Sequence, residues 1–356
     1  MAISNQFKLI NRLGTFAQTV GRQPLNLDVG APLTCLDVRL RYTIVTGATA
    51  PIGVMYGTVL QLLQLIQRAE LIVNGQDTVM SVQPWLYAVR SMQERSGVLF
   101  RGLETPINMA ANQTTNVDVH LPLHFDIVRG RKRNDAAVDL RGIRSAQLYL
   151  TFGGLANLFG TPGATVALSN VTVDVEGTYI EQVPNKDSNG NPIVFAVRQL
   201  DELNMQLVGA NNQTTLDVDQ RTGVNMLSLL HYFATSTAGV PAGDDTGMIN
   251  GSTFQGDMKL KSGGQYYSIS QAAFMRARVR DENRLINAGQ PATNMINPEF
   301  AGAFYQDIRY DGKLTTGIPT GALDANLQAL YNQNYTTGNT TLYVQRESVR
   351  PLQVGP

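Results

Sequence analysis

The sequence predicts an all-β chain built as two sandwich- or barrel-like units in tandem, with a few short helices. Three observations carry this. Apolar and polar residues alternate with a period of two over most of the chain. Turn residues are abundant, with 33 Gly and 15 Pro. One strongly polar stretch breaks the chain near its middle, and 356 residues are about right for two domains.

Taken in order, the N-terminal segment places Phe7, Ile10, Leu13, Phe16 and Val20 at helical spacing. This predicts a modest amphipathic helix, packed under a barrel or lying on a membrane, and weakened by Gly14. Leu36, Val38, Leu40, Tyr42 and Ile44 then alternate with Asp37, Arg39, Arg41 and Thr43, the pattern of a half-buried strand. Arg68–Val73 reads as a strand closed by Asn74-Gly75, a hairpin signal. A short helix is predicted after Pro84, within Ser81–Glu94. Further alternating strands follow at 117–125, 146–152 and 171–175. Pro184–Pro192 has no apolar residue and predicts the inter-domain linker. Beyond it, Met226–Phe233 is apolar on both faces, and Ser270–Ile286 is the strongest helix candidate.

The two halves resemble each other faintly. Leu27-Asp28-Val29 precedes the strand Leu40–Ile44 much as Leu216-Asp217-Val218 precedes Leu229–Phe233. Each half also ends on a strand rich in Thr and Val, at 171–179 and 340–349. Two matches in the same order suggest duplication of one β unit.

Composition narrows the function. Charged residues are 16% and hydrophobic residues 43%, so the surface is short of charge and suits broad protein contact. Lys plus Arg equals Asp plus Glu at 28 each, which gives no basic field for nucleic acid. Cys35 is the one cysteine; it excludes an internal disulfide and reads as a buried apolar side chain. The N-terminus lacks an apolar core of signal-peptide length, and no run reaches the ~18 apolar residues of a membrane span. The expectation is synthesis and folding in a cytosol.

Candidate chemistry is sparse. His120 and His124 are four apart. On a helix they would share a face; on a strand they stand roughly 13 Å apart, too far to hold one ion. His231, in an apolar run, reads as a hydrogen-bonded core or interface residue. Arg129–Arg133 (RGRKR) is a dense basic run that suits phosphate, but Asp135 and Asp139 lie close, and a solvated loop explains it as well. Gly153-Gly154 and Gly263-Gly264 lack the context of a phosphate loop and read as turns. Asp244-Asp245 has no ladder of calcium ligands. Asn-x-Ser/Thr at Asn112, Asn170, Asn212, Asn250, Asn334 and Asn339 reads as chance in an Asn/Thr-rich chain. No catalytic, cofactor-binding or metal-binding residues are assigned, and the reading is a non-enzyme without cofactors.

The order of landmarks resembles the double jelly-roll major capsid proteins of the tectivirus and adenovirus lineage, and is most tectivirus-like. The landmarks are LDVGAPLTCLDVRLRYTIV, LIQRAELIVNGQ, Trp85 in VQPWLYAV, NQTTNVDVHLPLHFD, RSAQLYLTFGG and VTVDVEGTYIEQVP. SQAAFMRARVRDENRL and LYVQRESV match more loosely in the second half. The resemblance implies two tandem eight-stranded jelly-roll barrels: an N-terminal arm at 1–21, a first jelly roll at 22–183, a linker at 184–192 and a second jelly roll at 193–356. It implies pseudo-hexagonal homotrimers that tile an icosahedral virion shell around an internal membrane. Implied partners are the chain itself, neighbouring trimers, vertex (penton) and minor membrane-associated proteins, and the lipid membrane through the arm, with no direct nucleic acid. The implied location is the virion, as in a bacteriophage, after synthesis in the host cytoplasm. The rival readings are a viral spike or receptor-binding trimer and a carbohydrate-binding β-sandwich. The latter needs clustered aromatics, whereas this chain has one tryptophan and 7% aromatic residues.

Overall fold

The computed structural model describes residues 7–17, 21–48, 62–94, 111–126, 136–159, 166–181, 183, 189–190, 195–207, 213–220, 223–237, 240–243, 257–271, 303–309, 317–332 and 340–351. The chain divides into two compact units. One is Met1–Trp85 with Leu99–Leu200 and Val349–Pro356; the other is Leu86–Val98 with Asp201–Ser348.

In the first unit the strands are β1 (Phe7–Ala17), β2 (Gly21–Asn26), β3 (Pro32–Val45), β4 (Ile66–Val73), β5 (Asp77–Val82), β6 (Thr114–His124), the two-residue β7 (Val138–Asp139), β8 (Ala146–Phe152) and β9 (Ala167–Glu181). Helix α1 (Pro84–Glu94) follows β5, and the short helix α2 (Leu155–Phe159) follows β8. One sheet has the order β1-β9-β3-β6 and the other runs β5-β4-β8-β2, all antiparallel. With β7 left aside, the first sheet joins main strands one, eight, three and six, and the second joins two, seven, four and five. That alternation between two sheets is the jelly roll.

The alternation seen in the sequence becomes an inner and an outer face. Leu36, Val38, Leu40, Tyr42 and Ile44 of β3 are buried, as are Val117, Val119, Leu121 and Leu123 of β6 and Val173 and Val175 of β9. Each such side chain contributes about 1.5–3 kcal/mol relative to an exposed one. The β4–β5 hairpin turns at Asn74 and Gly75, both at positive φ (52° and 72°), a conformation that Asn and Gly adopt more readily than other residues.

Two expectations are corrected here. The N-terminal segment is not an amphipathic helix. It is β1, paired along β9 from Phe7↔Glu181 to Ala17↔Thr172. A register shift between Arg12 and Gly14 places Leu9 opposite Tyr179 and Phe16 opposite Val173. One bulge residue thus lets a spacing of seven, which resembles two helical turns, fit one strand register. β1 thereby supplies the first strand of the barrel. Cys35, outside any disulfide, is half-buried and not buried. It continues the outward row of Asp37, Arg39 and Arg41, in phase with the alternation of β3.

β10 (Ala196–Gln206) runs from the first unit into the second. The second unit continues with β11 (Gln213–Asp219), β12 (Asn225–Thr237), β13 (Val240–Gly243), β14 (Asp257–Ser262), β15 (Gln265–Gln271), β16 (Ala303–Asp307), β17 (Ile318–Pro319), β18 (Leu327–Asn332) and β19 (Thr340–Pro351). β10, β19 and β12 are neighbours, with β16 also on β12, and the facing sheet has the order β11-β18-β14-β15. Among the described residues, with β13 and β17 left aside, the main strands again join as one, eight, three, six and two, seven, four, five. The identical order supports duplication of one β unit, as the faint sequence repeat suggested.

The second core gathers Val218, Met226, Leu229, Phe233, Met258, Leu260, Phe304, Leu327, Tyr331, Leu342 and Val344. Phe233 meets Phe304 and Tyr331 edge to face. Ser270 and Gln271 belong to β15; the rest of the helix expected at 270–286 lies outside the described residues. So does the polar linker 184–192, apart from Asn189 and Gly190.

Candidate functional site

The outer face of the β9-β3-β6 layer is a lattice of charges. Period-two alternation sets Asp37, Arg39 and Arg41 in one row, with Asp118 and His120 beside them on β6 and Asp174 and Glu176 on β9. Arg39 donates to both oxygens of Asp118, at 2.9 and 2.5 Å. Arg41 pairs with Asp174. His120 Nδ1 lies 3.6 Å from Asp37 Oδ1, and its Nε2 lies 3.9 Å from Asp118 Oδ1. The Arg39 hydrogen bond holds the Asp118 carboxyl below its ordinary range, and Asp118 in turn raises Arg39. A shallow cleft of about 380 Å³ lies among these side chains. Two Arg–Asp pairs, Arg39–Asp118 and Arg41–Asp174, span the strands, so the face is a polar, ion-paired surface without a nucleophile and base pair among the described residues.

The residues singled out in the sequence are not brought together. His120 and His124 are both on β6, and His124 faces Asp126 at 3.5 Å. Among the described residues no group of three or more His, Cys, Asp or Glu is placed to hold a metal ion. Gly263-Gly264 is the turn of the β14–β15 hairpin, and Gly153-Gly154 leads into α2, where Asn157 accepts from the Gly154 amide at 2.9 Å. Asn112 and Asn170 occupy positive-φ positions. Arg129–Arg133, Asp244-Asp245, Asn212, Asn250, Asn334 and Asn339 lie outside the described residues. Among the described residues no helix is long and apolar enough to cross a membrane.

His231 is a fully buried core residue. Its Nε2 lies 2.9 Å from Gln306 Oε1 and its Nδ1 lies 2.8 Å from the Tyr331 hydroxyl. The carboxamide oxygen accepts from Nε2, so Nδ1 accepts from the phenol and the ring is neutral. Burial lowers its pKa to about 4, with Arg90 adding to the lowering and the Gln306 hydrogen bond opposing it.

Sequence reasoning missed a buried side chain that joins several elements of the second unit. Arg90, on α1, is fully buried. It donates to Gln345 Oε1 (2.5 Å), the Gln345 carbonyl (2.7 Å) and Ser228 Oγ (2.8 Å). It also meets Glu94 at 3.2 Å and Glu347 at 3.3 Å, and lies 5.7 Å from the Tyr305 ring centre. The available signal was a lone arginine in the apolar run WLYAVRSM with a glutamate four residues on. This network also accounts for the apolar run Met226–Phe233: one face of β12 fills the core, and its Ser228 side meets the arginine of α1.

A different surface is exposed and apolar. β15 leaves Tyr266 51%, Tyr267 38% and Ile269 62% accessible. Adjacent positions on a strand point to opposite faces, so both faces of β15 are open.

No protein-family model matches the sequence, and no curated protein matches it. Solved structures do match the fold. The crystal structure of the STIV MCP aligns with a TM-score of 0.70 at 16% identity, covering 96% of each chain; STIV is the Sulfolobus turreted icosahedral virus. The PBCV-1 virus capsid model aligns at 0.62 and 13% identity, over 99% of this chain and 96% of that one. The major capsid protein P2 of bacteriophage PM2 aligns at 0.54 and 9% identity, over 97% and 98%. The likeness spans both units and nearly the full length of each protein. The fold of this chain is the double jelly roll that these viral capsid proteins share.

Proposed function

We propose that this chain is a major capsid protein, a structural and non-enzymatic component of a virion. The observation that carries the reading is one eight-strand topology occurring twice in a chain that aligns end to end with capsid proteins. Three chains would bring six similar barrels together in a pseudo-hexagonal tile, because a head-to-tail contact of suitable angle closes after three copies. Such tiles would pave an icosahedral shell around an internal membrane. Neighbouring tiles, vertex proteins and minor membrane-associated proteins would be the partners, with no direct contact to nucleic acid. The ion-paired sheet face and a low charge fraction suit repeated protein contacts, each weak and many together. Synthesis would take place in the host cytoplasm.

The carbohydrate-binding reading loses its main support. Trp85 is buried and donates to Gln83, so the one indole cannot stack on a sugar. A spike would not need a second jelly roll. The test is the mass of the purified full chain by light scattering, with negative-stain images. Trimers of hexagonal outline are expected; a monomer at all concentrations, or one that binds oligosaccharide, sinks the capsid reading.

A further inference from the structure

The duplicated topology makes the two units comparable strand by strand, and one position differs sharply between them. β5 and β15 are the fifth main strands of their units; β15 ends its sheet, whereas β5 lies between β4 and β10. Val79, Met80, Ser81 and Val82 of β5 are all buried. In the first unit residues 195–200 run beside β5, parallel to it, with Leu200 opposite Met80. Gln199 reaches the Thr78 carbonyl at 3.5 Å, and Arg350 joins Asp77 to Gln199. The equivalent strand, β15, pairs among the described residues only with β14, and its Tyr266, Tyr267 and Ile269 are exposed. Its sequence, QYYSISQ, contains no charge and no proline, the usual guards of a free edge.

What covers β5 is the start of β10, the first main strand of its set. The matching first strand of the other set is β1, which among the described residues pairs with β9 alone and so ends its sheet. We propose that the Tyr266–Ile269 edge of β15 receives the start of β1 from a second copy of this chain, in the parallel sense that β10 takes on β5. The contact is head to tail: each copy gives β1 and accepts on β15. It therefore generates a ring and not a two-fold pair. It buries two aromatic side chains and an isoleucine, the residue types that anchor interfaces. This inference rests on the trimer reading above and assigns the interface that closes it.

The test uses the full chain. Ile269→Asp combined with Tyr266→Asp should convert the trimer to a single chain by light scattering at the same concentration, with an unchanged far-ultraviolet circular dichroism spectrum. In a Cys35→Ser background, Ile269→Cys paired with a cysteine scanned over residues 7–11 should give covalent dimers and trimers on mild oxidation. Either cysteine alone should give none. A wild-type trimer that survives the double aspartate and never cross-links overturns this interface and leaves the capsid reading standing. Dimers from Ile269→Cys alone, which signal a two-fold edge, also overturn it. A wild-type chain that is monomeric throughout removes the trimer and this interface together.

Discussion

His231 shows how one buried side chain ties folding to pH. Its folded pKa, about 4, lies below the ordinary value of 6.5 because burial disfavours the imidazolium. Below pH 6.5 the unfolded chain takes up a proton that the folded chain refuses. The unfolded state is then favoured, and stability falls as pH drops from 6.5 toward 4. The loss from this one residue approaches about 3 kcal/mol at pH 4. His231→Gln should flatten that part of the profile, read as the difference in urea midpoint between the variant and wild type from pH 7 to 4.5. Parallel profiles would show that His231 does not set the slope. The buried, hydrogen-bonded state of His231 was legible from its apolar neighbours. Its partners were not, since Gln306 and Tyr331 are far from it in sequence. The alternation of β3 already places Cys35 in the outward row with Asp37, and reading it from its apolar character alone gives the wrong face.

At the scale of elements, α1 and β1 make opposite points. Helix α1 was legible from Pro84 and the apolar run after it, but its role was not. Arg90 carries a full charge into the second unit, where Glu94, Glu347, Ser228 and Gln345 surround it. Removing a partner from a buried ion pair costs about 3–5 kcal/mol, because a carboxylate loses its cation in a dry site. Arg90→Ala should therefore lower the unfolding free energy by that order, measured by denaturant titration. Adding Glu347→Gln should recover part of the loss; a cost below ~1 kcal/mol would deny Arg90 its anchoring role. β1 was misread because seven-residue spacing fits two helical turns, and because strand pairing with β9, 160 or so residues away, leaves no local trace.

For the whole molecule, the units do not coincide with the halves of the sequence. Residues 195–200 and 349–351 belong to the unit formed mostly by the first half, and α1 from Leu86 belongs to the other. Phe195 packs with Ala137 and Ile180, and Val197 is buried. Losing these two side chains alone forfeits about 3 kcal/mol or more. A fragment of residues 1–183 should therefore give a lower soluble yield and faster protease digestion than the full chain. A fragment as soluble and as resistant as the full chain would show that those segments are dispensable.

The sequence by itself determined the fold class, most strands of the first unit, the hairpin at Asn74-Gly75 and the absence of any motif for catalysis. Those are local properties: alternation of period two, turn chemistry and composition are written in neighbouring residues. Tertiary structure alone decided that β1 is a strand, that Arg90 is buried among carboxylates, which ion pairs cover the β9-β3-β6 face, and that β15 stays open where β5 is covered. Each depends mainly on partners brought together from distant parts of the chain, and pairing of that kind is set by packing and not by local propensity.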